Sequence, residues 1–321
     1  MRELAEPVPS FRARDKIAVL LVALLLLALI YLGRTQLDRN QLVFWAINAV
    51  SSLGVGLLAV LFIRLRRRYE EKVRELTRKE MEMAIAQEVQ QELFPRLLPP
   101  AALLDLAAIC LPARGISGDY YDLLEIGDGE WGVVVADVSG KGISAALLMA
   151  NVQAMVRSQC QSHPSLSQFF ATLNRLLGRS TASARYATLF YGMFRAKDRS
   201  FYYVNAGHVP PFLIRQDSVN RLTEGGAPIG LLSDTEYSEG TVDLAPGDLL
   251  AICSDGILEA TDAAGEEFGE ARLIPLLSGN RQLPSAIIQE KVLRAIADWT
   301  RKDIPDDDIT LVLVRIPSTS S

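Results

Sequence analysis

Residues 131–142 read Trp-Gly-Val-Val-Val-Ala-Asp-Val-Ser-Gly-Lys-Gly. The first six are apolar and largely β-branched, which is typical of a strand buried on both faces. Asp137 ends this run, and the glycines after it permit a sharp turn before the apolar helical pattern of residues 143–159. The stretch therefore predicts a core strand that carries a carboxylate at its end, where a functional site is commonly built.

The segments on either side are mostly strands. Residues 121–126 are predicted to pair with 131–137 as a hairpin across Gly127-Asp128-Gly129. The remaining predicted strands are 106–112, 186–194, 201–205, 211–215, 249–253 and 309–316, and the remaining predicted helices are 166–177 and 283–300. Strands come in runs with helices grouped between them, so the pattern indicates layered α+β with antiparallel sheets rather than alternating βαβ units.

Composition excludes several classes of protein. The chain has 321 residues, of which 49% are hydrophobic and 22% charged, so it is not a disordered chain. A net charge of −5 argues against a protein dedicated to binding nucleic acid. The three cysteines, Cys110, Cys160 and Cys253, lack metal-ligand spacing and are predicted to be reduced, buried thiols.

Two uncharged apolar runs, residues 17–33 and 42–63, precede the mixed region. At about 1.5 Å per residue they span roughly 25 and 33 Å, which predicts two transmembrane helices within residues 1–64. A cleaved signal peptide is the alternative for the first run. Because arginine and lysine flank the outer ends of both runs, we expect a multi-pass protein of the inner (plasma) membrane with a cytoplasmic catalytic domain. The cluster at residues 64–68 is either a topology anchor or a site for anionic lipid.

Residues 65–94 are polar, helix-forming and free of glycine and proline, and Pro95 follows them. Met81, Ile85 and Val89 recur at helical spacing, but no regular heptad frame runs through the segment. The segment therefore predicts a cytoplasmic linker helix ahead of a domain at residues 95–321. It is either a plain spacer or a helix that forms a homodimer with its twin.

Four acidic clusters fall at predicted turns or strand ends. They are Gly118-Asp119-Tyr120-Tyr121-Asp122, Asp137 with its glycines, Ser254-Asp255-Gly256, and Asp306-Asp307-Asp308. Carboxylates without His or Cys neighbours favour hard cations such as Mg²⁺ or Mn²⁺. Each cluster alone is equally typical of a turn or a helix cap, but four in one domain favour a metal site.

Two further motifs are ambiguous. Gly140-Lys141-Gly142 before a helix is a weak signal for phosphate binding, since the Walker spacing is absent. His208 in Asn205-Ala206-Gly207-His208 is either a catalytic base or, more commonly for an isolated histidine, a structural residue.

Together these motifs resemble the SpoIIE-type branch of the bacterial PPM metal-dependent serine/threonine protein phosphatases. The resemblance covers roughly residues 85–316 and rests on many motifs in the same order. They are Gln87-Glu88-Val89-Gln90, the four acidic clusters, Asn205–His208 with Pro210-Pro211, residues 225–230, Pro246-Gly247-Asp248 and residues 254–260.

The resemblance implies a four-layer α-β-β-α sandwich with two Mn²⁺ or Mg²⁺ ions at one edge. In it Asp137 corresponds to the carboxylate that bridges both ions, with the Val138 carbonyl beside it, and Asp119 to a ligand of one ion. Asp119 and Asp137 are accordingly the catalytic candidates. Asp255 and Asp307 correspond to ligands of the other ion, although the choice among Asp306, Asp307 and Asp308 stays open. Asp122 and Asp308 are possible partners of the ligands.

The implied activity is hydrolysis of phosphoserine or phosphothreonine by water that the two metals activate. The implied substrate is a cytosolic regulatory phosphoprotein, typically an anti-sigma-factor antagonist of the STAS type. The expected partners are therefore this phosphoprotein, the lipid bilayer and a second copy of the chain, with no nucleic acid. The alternative is a catalytically silent membrane docking protein that keeps the phosphatase fold as a scaffold.

Overall fold

The computed structural model describes residues 24, 27–28, 30–31, 41–95, 99–101, 103–127, 129–180, 185–302 and 304–317. The chain divides into two compact units, Met1–Glu80 and Met81–Ser321. The first predicted transmembrane run, residues 17–33, lies for the most part outside the described residues. The predicted pair of membrane helices therefore stays a prediction.

Helix α1, Gln41–Leu93, is 53 residues long and joins the second apolar run to the predicted linker without a break. Within the described part of the chain it is the one helix that is long and apolar enough to cross a membrane. It ends two residues before Pro95, as expected because a proline disfavours helical geometry at the residue before it.

The strands of the described residues, β1 to β11 in chain order, form two sheets. The first contains, from edge to edge, β1 (Asp105–Leu111), β11 (Ile309–Arg315), β10 (Leu249–Cys253), β6 (Phe212–Ile214) and β7 (Val219–Arg221). The second contains β2 (Asp119–Gly127), β3 (Glu130–Val138), β4 (Ala187–Arg195), β5 (Ser200–Ala206) and β8 (Gly225–Gly226), with β9 (Gly240–Asp243) also paired to β5. All neighbours are antiparallel except β5 and β8.

Within the residues that the structure describes, five helices accompany the sheets. They are α2 (Ile143–Gln159), α3 (Leu166–Ser180), α4 (Asp255–Leu258), α5 (Gly269–Asn280) and α6 (Ser285–Thr300). Side chains alternate along β3, so Val133 and Val135 pack between the sheets whereas Val134 packs against α2 and α3. Along β11, Val312 lies between the sheets and Leu311 faces α5 and α6. The predicted four-layer α-β-β-α sandwich is therefore confirmed.

The predicted hairpin is confirmed, and so is the helix at residues 143–159. Sequence patterns missed α5, which contains Pro275, and the two- to four-residue strands β7, β8 and β9. Such short strands carry too few residues for a periodic signal. The three cysteines are unpaired; Cys253 is buried, whereas Cys110 and Cys160 are half-buried.

Candidate active site

Four strand ends bring the acidic clusters together. In the second sheet β2 begins where β3 ends, so Asp119 lies directly opposite Asp137, and Val138 is the last, buried residue of β3. In the first sheet Asp255 follows β10 and Asp307 precedes β11, and these strands are also antiparallel neighbours. Because the sheets pack face to face, both pairs lie at one edge of the sandwich, where Asp137 is close enough to Asp255 and Asp307 to interact with their charges.

Asp119 is the most deeply buried of these carboxylates, with 2% of its surface exposed. Its neighbours across the sandwich are the hydroxyls of Thr310 and Ser254. Burial raises the pKa of Asp119 well above its usual range, and the charge of Asp137 raises it further. Oδ2 of Asp119 is buried without a hydrogen-bond partner. A buried carboxylate oxygen without a hydrogen-bond partner is energetically unfavourable, and a bound cation would stabilise it.

The other carboxylates repel one another. Burial raises the pKa of Asp137 to about 7, and the charges of Asp255, Asp307 and Asp308 contribute, with Lys141 opposing them. Burial likewise raises the pKa of Asp255, and Asp307 adds to the effect. Negative charge is therefore in excess at this edge, and added positive charge would stabilise it.

Asp255 is held by a close contact between two segments. Ser254 pairs with Thr310 through backbone N–H···O at 3.0 Å, and its Oγ accepts a hydrogen bond from the Thr310 N–H at 2.9 Å. A Cβ on Gly256 would lie 2.1 Å from the carbonyl oxygen of Asp308. Glycine is therefore required after Asp255 for the start of α4 to approach the start of β11.

The carboxylates are grouped, but among the described residues no three His, Cys, Asp or Glu side chains already enclose a point where an ion would sit. Lys141 Nζ lies 2.7 Å from Oδ2 of Asp307 and brings a positive charge beside the carboxylates. The residues fit the divalent ions that the resemblance implies. The donors are oxygens only, and one buried oxygen of Asp119 lacks a partner. Burial, and after it the neighbouring carboxylate charges, raise the pKa values of Asp119 and Asp137.

Asp308 holds the turn that precedes Asp119. Its carboxylate accepts hydrogen bonds from the N–H of Ala113 at 2.8 Å, from the Ser117 hydroxyl at 2.7 Å and from the N–H of Gly118 at 2.7 Å. Oγ of Ser117 in turn accepts from the N–H of Asp119 at 2.9 Å. Asp308 therefore positions a neighbouring carboxylate and has its own oxygens engaged.

The other two consecutive acids are exposed and paired with lysines. Asp306 pairs with Lys302, and Asp307 pairs with Lys141. Of these two acids, Asp307 is the one whose charge raises the pKa of Asp137. This coupling favours Asp307 over Asp306 as a candidate ligand.

Asp122 lies three residues beyond Asp119 on β2 and hence on the opposite face of the strand. There its carboxylate accepts hydrogen bonds from Arg157 Nε at 2.7 Å and from the Tyr120 hydroxyl at 2.6 Å. Arg157 also donates to the carbonyl of Leu93 at 3.0 Å. Asp122 thus connects β2 to α2 and to the end of α1, and it does not adjoin the other carboxylates.

A further support comes from α1 and was missed by the sequence analysis. The Gln90 side chain is buried, donates from Nε2 to the Ser117 carbonyl and accepts at Oε1 from the Ser117 N–H, both at 2.8 Å. We call this pair of bonds the Gln90 clamp. Gln90 belongs to the motif Gln87-Glu88-Val89-Gln90, but its partner is 27 residues away in the chain. No local pattern therefore reveals the bond.

Two cations, Arg114 and Lys141, line a small pocket with Asp137. Gly140 and Gly142 on either side of Lys141 have φ angles of 109° and 70°, which glycine adopts readily. The Gly-Lys-Gly motif therefore shapes a loop that places an ammonium beside the carboxylates. Arg114 carried no recognisable sequence signal.

His208 is buried behind the carboxylates. Burial lowers its pKa to about 4, so the ring is neutral near pH 7. Nδ1 lies 3.1 Å from the hydroxyl of Thr188, which is the β4 residue opposite Asp137, and the His208 N–H donates to Asn205 Oδ1 at 2.8 Å. These contacts are those of a structural residue.

Comparison with known proteins gives consistent matches. A sequence model of the family "Stage II sporulation protein E (SpoIIE)" matches residues 127–317. The chain is 31% identical over 240 residues to phosphoserine phosphatase RsbU of Bacillus subtilis, covering 73% of this chain and 70% of RsbU. It is 26% identical over 263 residues to protein IcfG of Synechocystis, covering 73% of this chain but only 41% of IcfG.

The fold is similar to that of the solved PP2C domain of SiaA from Pseudomonas aeruginosa. The TM-score is 0.66 at 20% identity, over 75% of this chain and 98% of that domain.

Proposed function

Because this chain belongs to the SpoIIE family of PPM-type phosphatases, we propose that it hydrolyses phosphoserine or phosphothreonine on a protein in a metal-dependent reaction. The observation that carries the proposal is the meeting of Asp119, Asp137, Asp255 and Asp307 from four strand ends at one edge of the sandwich. Oδ2 of Asp119 is buried there without a partner.

Asp119, Asp137, the Val138 carbonyl, Asp255 and Asp307 would hold two Mn²⁺ or Mg²⁺ ions. When bound, such ions supply Lewis-acid activation of water and neutralise charge on a phosphoryl group. Burial of Asp119 keeps bulk water away from its carboxylate and strengthens its electrostatic interactions, whereas the half-buried Asp137 faces the pocket.

Arg114 and Lys141 are the cations that would orient the phosphate oxygens in the pocket beside Asp137. The described lining of that pocket contains no serine, cysteine or histidine, and its aspartates are assigned to the metal ions, to the Ser117 turn or to Lys302, so direct attack by water is favoured over a covalent phosphoenzyme.

The membrane part of the proposal rests on α1 and on the cation distribution. We place the chain in the inner (plasma) membrane as a multi-pass protein, with the catalytic domain in the cytoplasm. A cytosolic phosphoprotein of the STAS type would then be the substrate. The name of RsbU, a phosphoserine phosphatase, supports phosphoserine as the group that is hydrolysed, and the choice of a STAS-type protein rests on the family resemblance.

A homodimer through α1 is supported by an apolar strip on its surface. Met81, Ile85 and Val89 recur every four residues and are each more than half exposed. Leu93, at the end of the same series, packs instead against the core of the domain. Pairing of two copies would cover the exposed strip.

The second candidate function is a catalytically silent scaffold. It is disfavoured because an aspartate is present wherever the family resemblance implies a side-chain ligand. Arg114 and Lys141 also line the pocket beside Asp137. The deciding experiment measures hydrolysis of p-nitrophenyl phosphate by the full-length chain in phospholipid nanodiscs, with Mn²⁺ and with EDTA.

Asp137→Asn is expected to lower turnover at least about 100-fold with the domain still folded, since removal of one electrostatic group commonly costs that much. The matched control is Asp217→Asn, which removes an exposed carboxylate from the turn after β6 and should have no effect. Activity that persists in EDTA, or Asp137→Asn activity within threefold of the parent, contradicts the proposal. Absence of turnover in the parent favours the scaffold.

A further inference from the structure

The small pocket lined by Arg114, Lys141 and Asp137 is the carboxylate pocket. A second cleft, of about 340 Å³, opens beside it. It lies between α6, the end of β1 and the segment before β11, and its apolar lining comes mainly from Leu111, Leu293, Ile296 and Ala297. The cleft and the carboxylate pocket share Lys141, Asp306 and Asp307 in their linings. A molecule held at the carboxylates therefore lies directly beside the cleft.

The size of the cleft limits what it accepts. Ligand pockets span about 300–1,000 Å³, and this cleft is at the lower end of that range. It suits one or two side chains of a bound protein rather than a folded element. Leu111 is 36% exposed on the floor and Ala297 is exposed on α6, so this apolar surface faces solvent.

The charges at its mouth select against acidic occupants. The charged side chains that line the cleft are three acids, Glu259, Asp306 and Asp307, and two lysines, Lys141 and Lys302. The lining therefore carries a small net negative charge. Both lysines already pair with aspartates in exposed ion pairs, which hold side chains only weakly. An acidic side chain would meet net repulsion, whereas an apolar one would displace water from the floor.

We propose that this cleft is a specificity site that takes an apolar side chain of the substrate protein, close in sequence to the phosphorylated serine or threonine. The inference rests on the proposed phosphatase function. The phosphate would lie with Arg114, Lys141 and the carboxylates, and the neighbouring side chain would pack on Leu111, Ile296 and Ala297.

The test uses the full-length chain in nanodiscs with Mn²⁺ and two kinds of substrate. One is p-nitrophenyl phosphate, which is too small to reach both pockets. The other is a set of phosphoserine peptides in an alanine-glycine background, with a single leucine at each position from −3 to +3 and a matching aspartate series. We expect leucine at one or two positions to raise kcat/KM about tenfold over the parent peptide, as apolar pockets commonly do. Aspartate there should give no gain.

Variants of α6 locate the effect. Ala297→Trp fills the cleft, and Ala297→Glu places a carboxylate that a bound leucine would have to desolvate. Because Ala297 is exposed, both variants should fold. Each is expected to reduce the leucine preference to within twofold and to leave hydrolysis of p-nitrophenyl phosphate unchanged. The matched control is Ile287→Trp, at an exposed position on the same helix, ten residues and about 15 Å away, which should retain the preference.

The possible failures are distinguishable. Normal hydrolysis of p-nitrophenyl phosphate without any leucine preference overturns the cleft assignment and leaves the phosphatase function intact. A preference that survives in both Ala297 variants overturns it as well, since another occupant or another surface would then be responsible. Absence of hydrolysis of every substrate overturns the phosphatase function and this inference with it.

Discussion

The Gln90 clamp gives the most direct test of how α1 acts on the carboxylate site. Its two hydrogen bonds hold Ser117, whose side chain contacts both the N–H of Asp119 and the carboxylate of Asp308. The last turn of α1 therefore fixes the turn from which Asp119 projects. We expect Gln90→Ala to loosen this turn and to weaken metal binding.

The size of the effect follows from the bonds that are lost. A neutral hydrogen bond contributes about 1 kcal/mol net, so the clamp contributes about 2 kcal/mol. At about 1.4 kcal/mol per tenfold change, its loss lowers the equilibrium constant for ordering this turn by a factor of about 30, which sets the upper limit of its effect on metal affinity. Ser117 is fully buried, so its backbone N–H and C=O gain little from water when Gln90 is removed. The affinity for Mn²⁺ should therefore fall about 10- to 30-fold.

Calorimetric titration of the full-length chain with Mn²⁺ measures this affinity. Gln91→Ala is the matched control, because Gln91 is the same residue type on the same turn but is exposed. Gln90→Glu separates the two bonds, since it keeps the acceptor for the Ser117 N–H but places an oxygen against the Ser117 carbonyl. The reasoning is refuted if Gln90→Ala and Gln91→Ala bind Mn²⁺ with affinities within twofold of the parent.

The raised pKa of Asp137, about 7 against an ordinary 3.8, means that the metal-free folded state keeps a proton which the unfolded state loses. The contribution of Asp137 to stability without metal should therefore fall between about pH 4 and 7. The gain in Tm from Mn²⁺ should therefore be larger at pH 8 than at pH 5, and equal gains would contradict this. The lowered pKa of His208 changes stability with pH in the opposite direction, but it does so with and without metal and cancels in the difference.

His208→Ala should destabilise the domain by about 2–3 kcal/mol in urea unfolding with little change in metal dependence, and a stable variant with lost turnover would reverse the structural assignment. Asp308→Ala should cost about 3–5 kcal/mol, because three donors lose a charged acceptor; a loss below 1 kcal/mol would refute that role. In intact cells expressing a chain without its native cysteines, a cysteine at Asp38 should react with an impermeant thiol reagent and one at Ser321 should not, and the reverse pattern would overturn the proposed topology.

Local patterns in the sequence determined much of the architecture. The run before Asp137 is apolar at every position because β3 is buried on both faces, and such a run identifies a core strand without any tertiary information. The helix at residues 143–159 matched its prediction, since its apolar spacing and the preceding glycine are both local. The grouping of strands and helices sufficed for the layered α+β class.

Only the tertiary structure decided what each carboxylate does. Asp122 and Asp119 belong to one motif, but the pleat of β2 sends Asp122 to Arg157 and Asp119 between the sheets. Asp307 and Asp308 are adjacent, yet one faces Lys141 and the other holds a turn about 190 residues earlier in the chain. The physical reason is that the three-residue spacing puts Asp119 and Asp122 on opposite faces of β2, but the packing of distant segments decides which face meets the other carboxylates, and no local spacing encodes that packing.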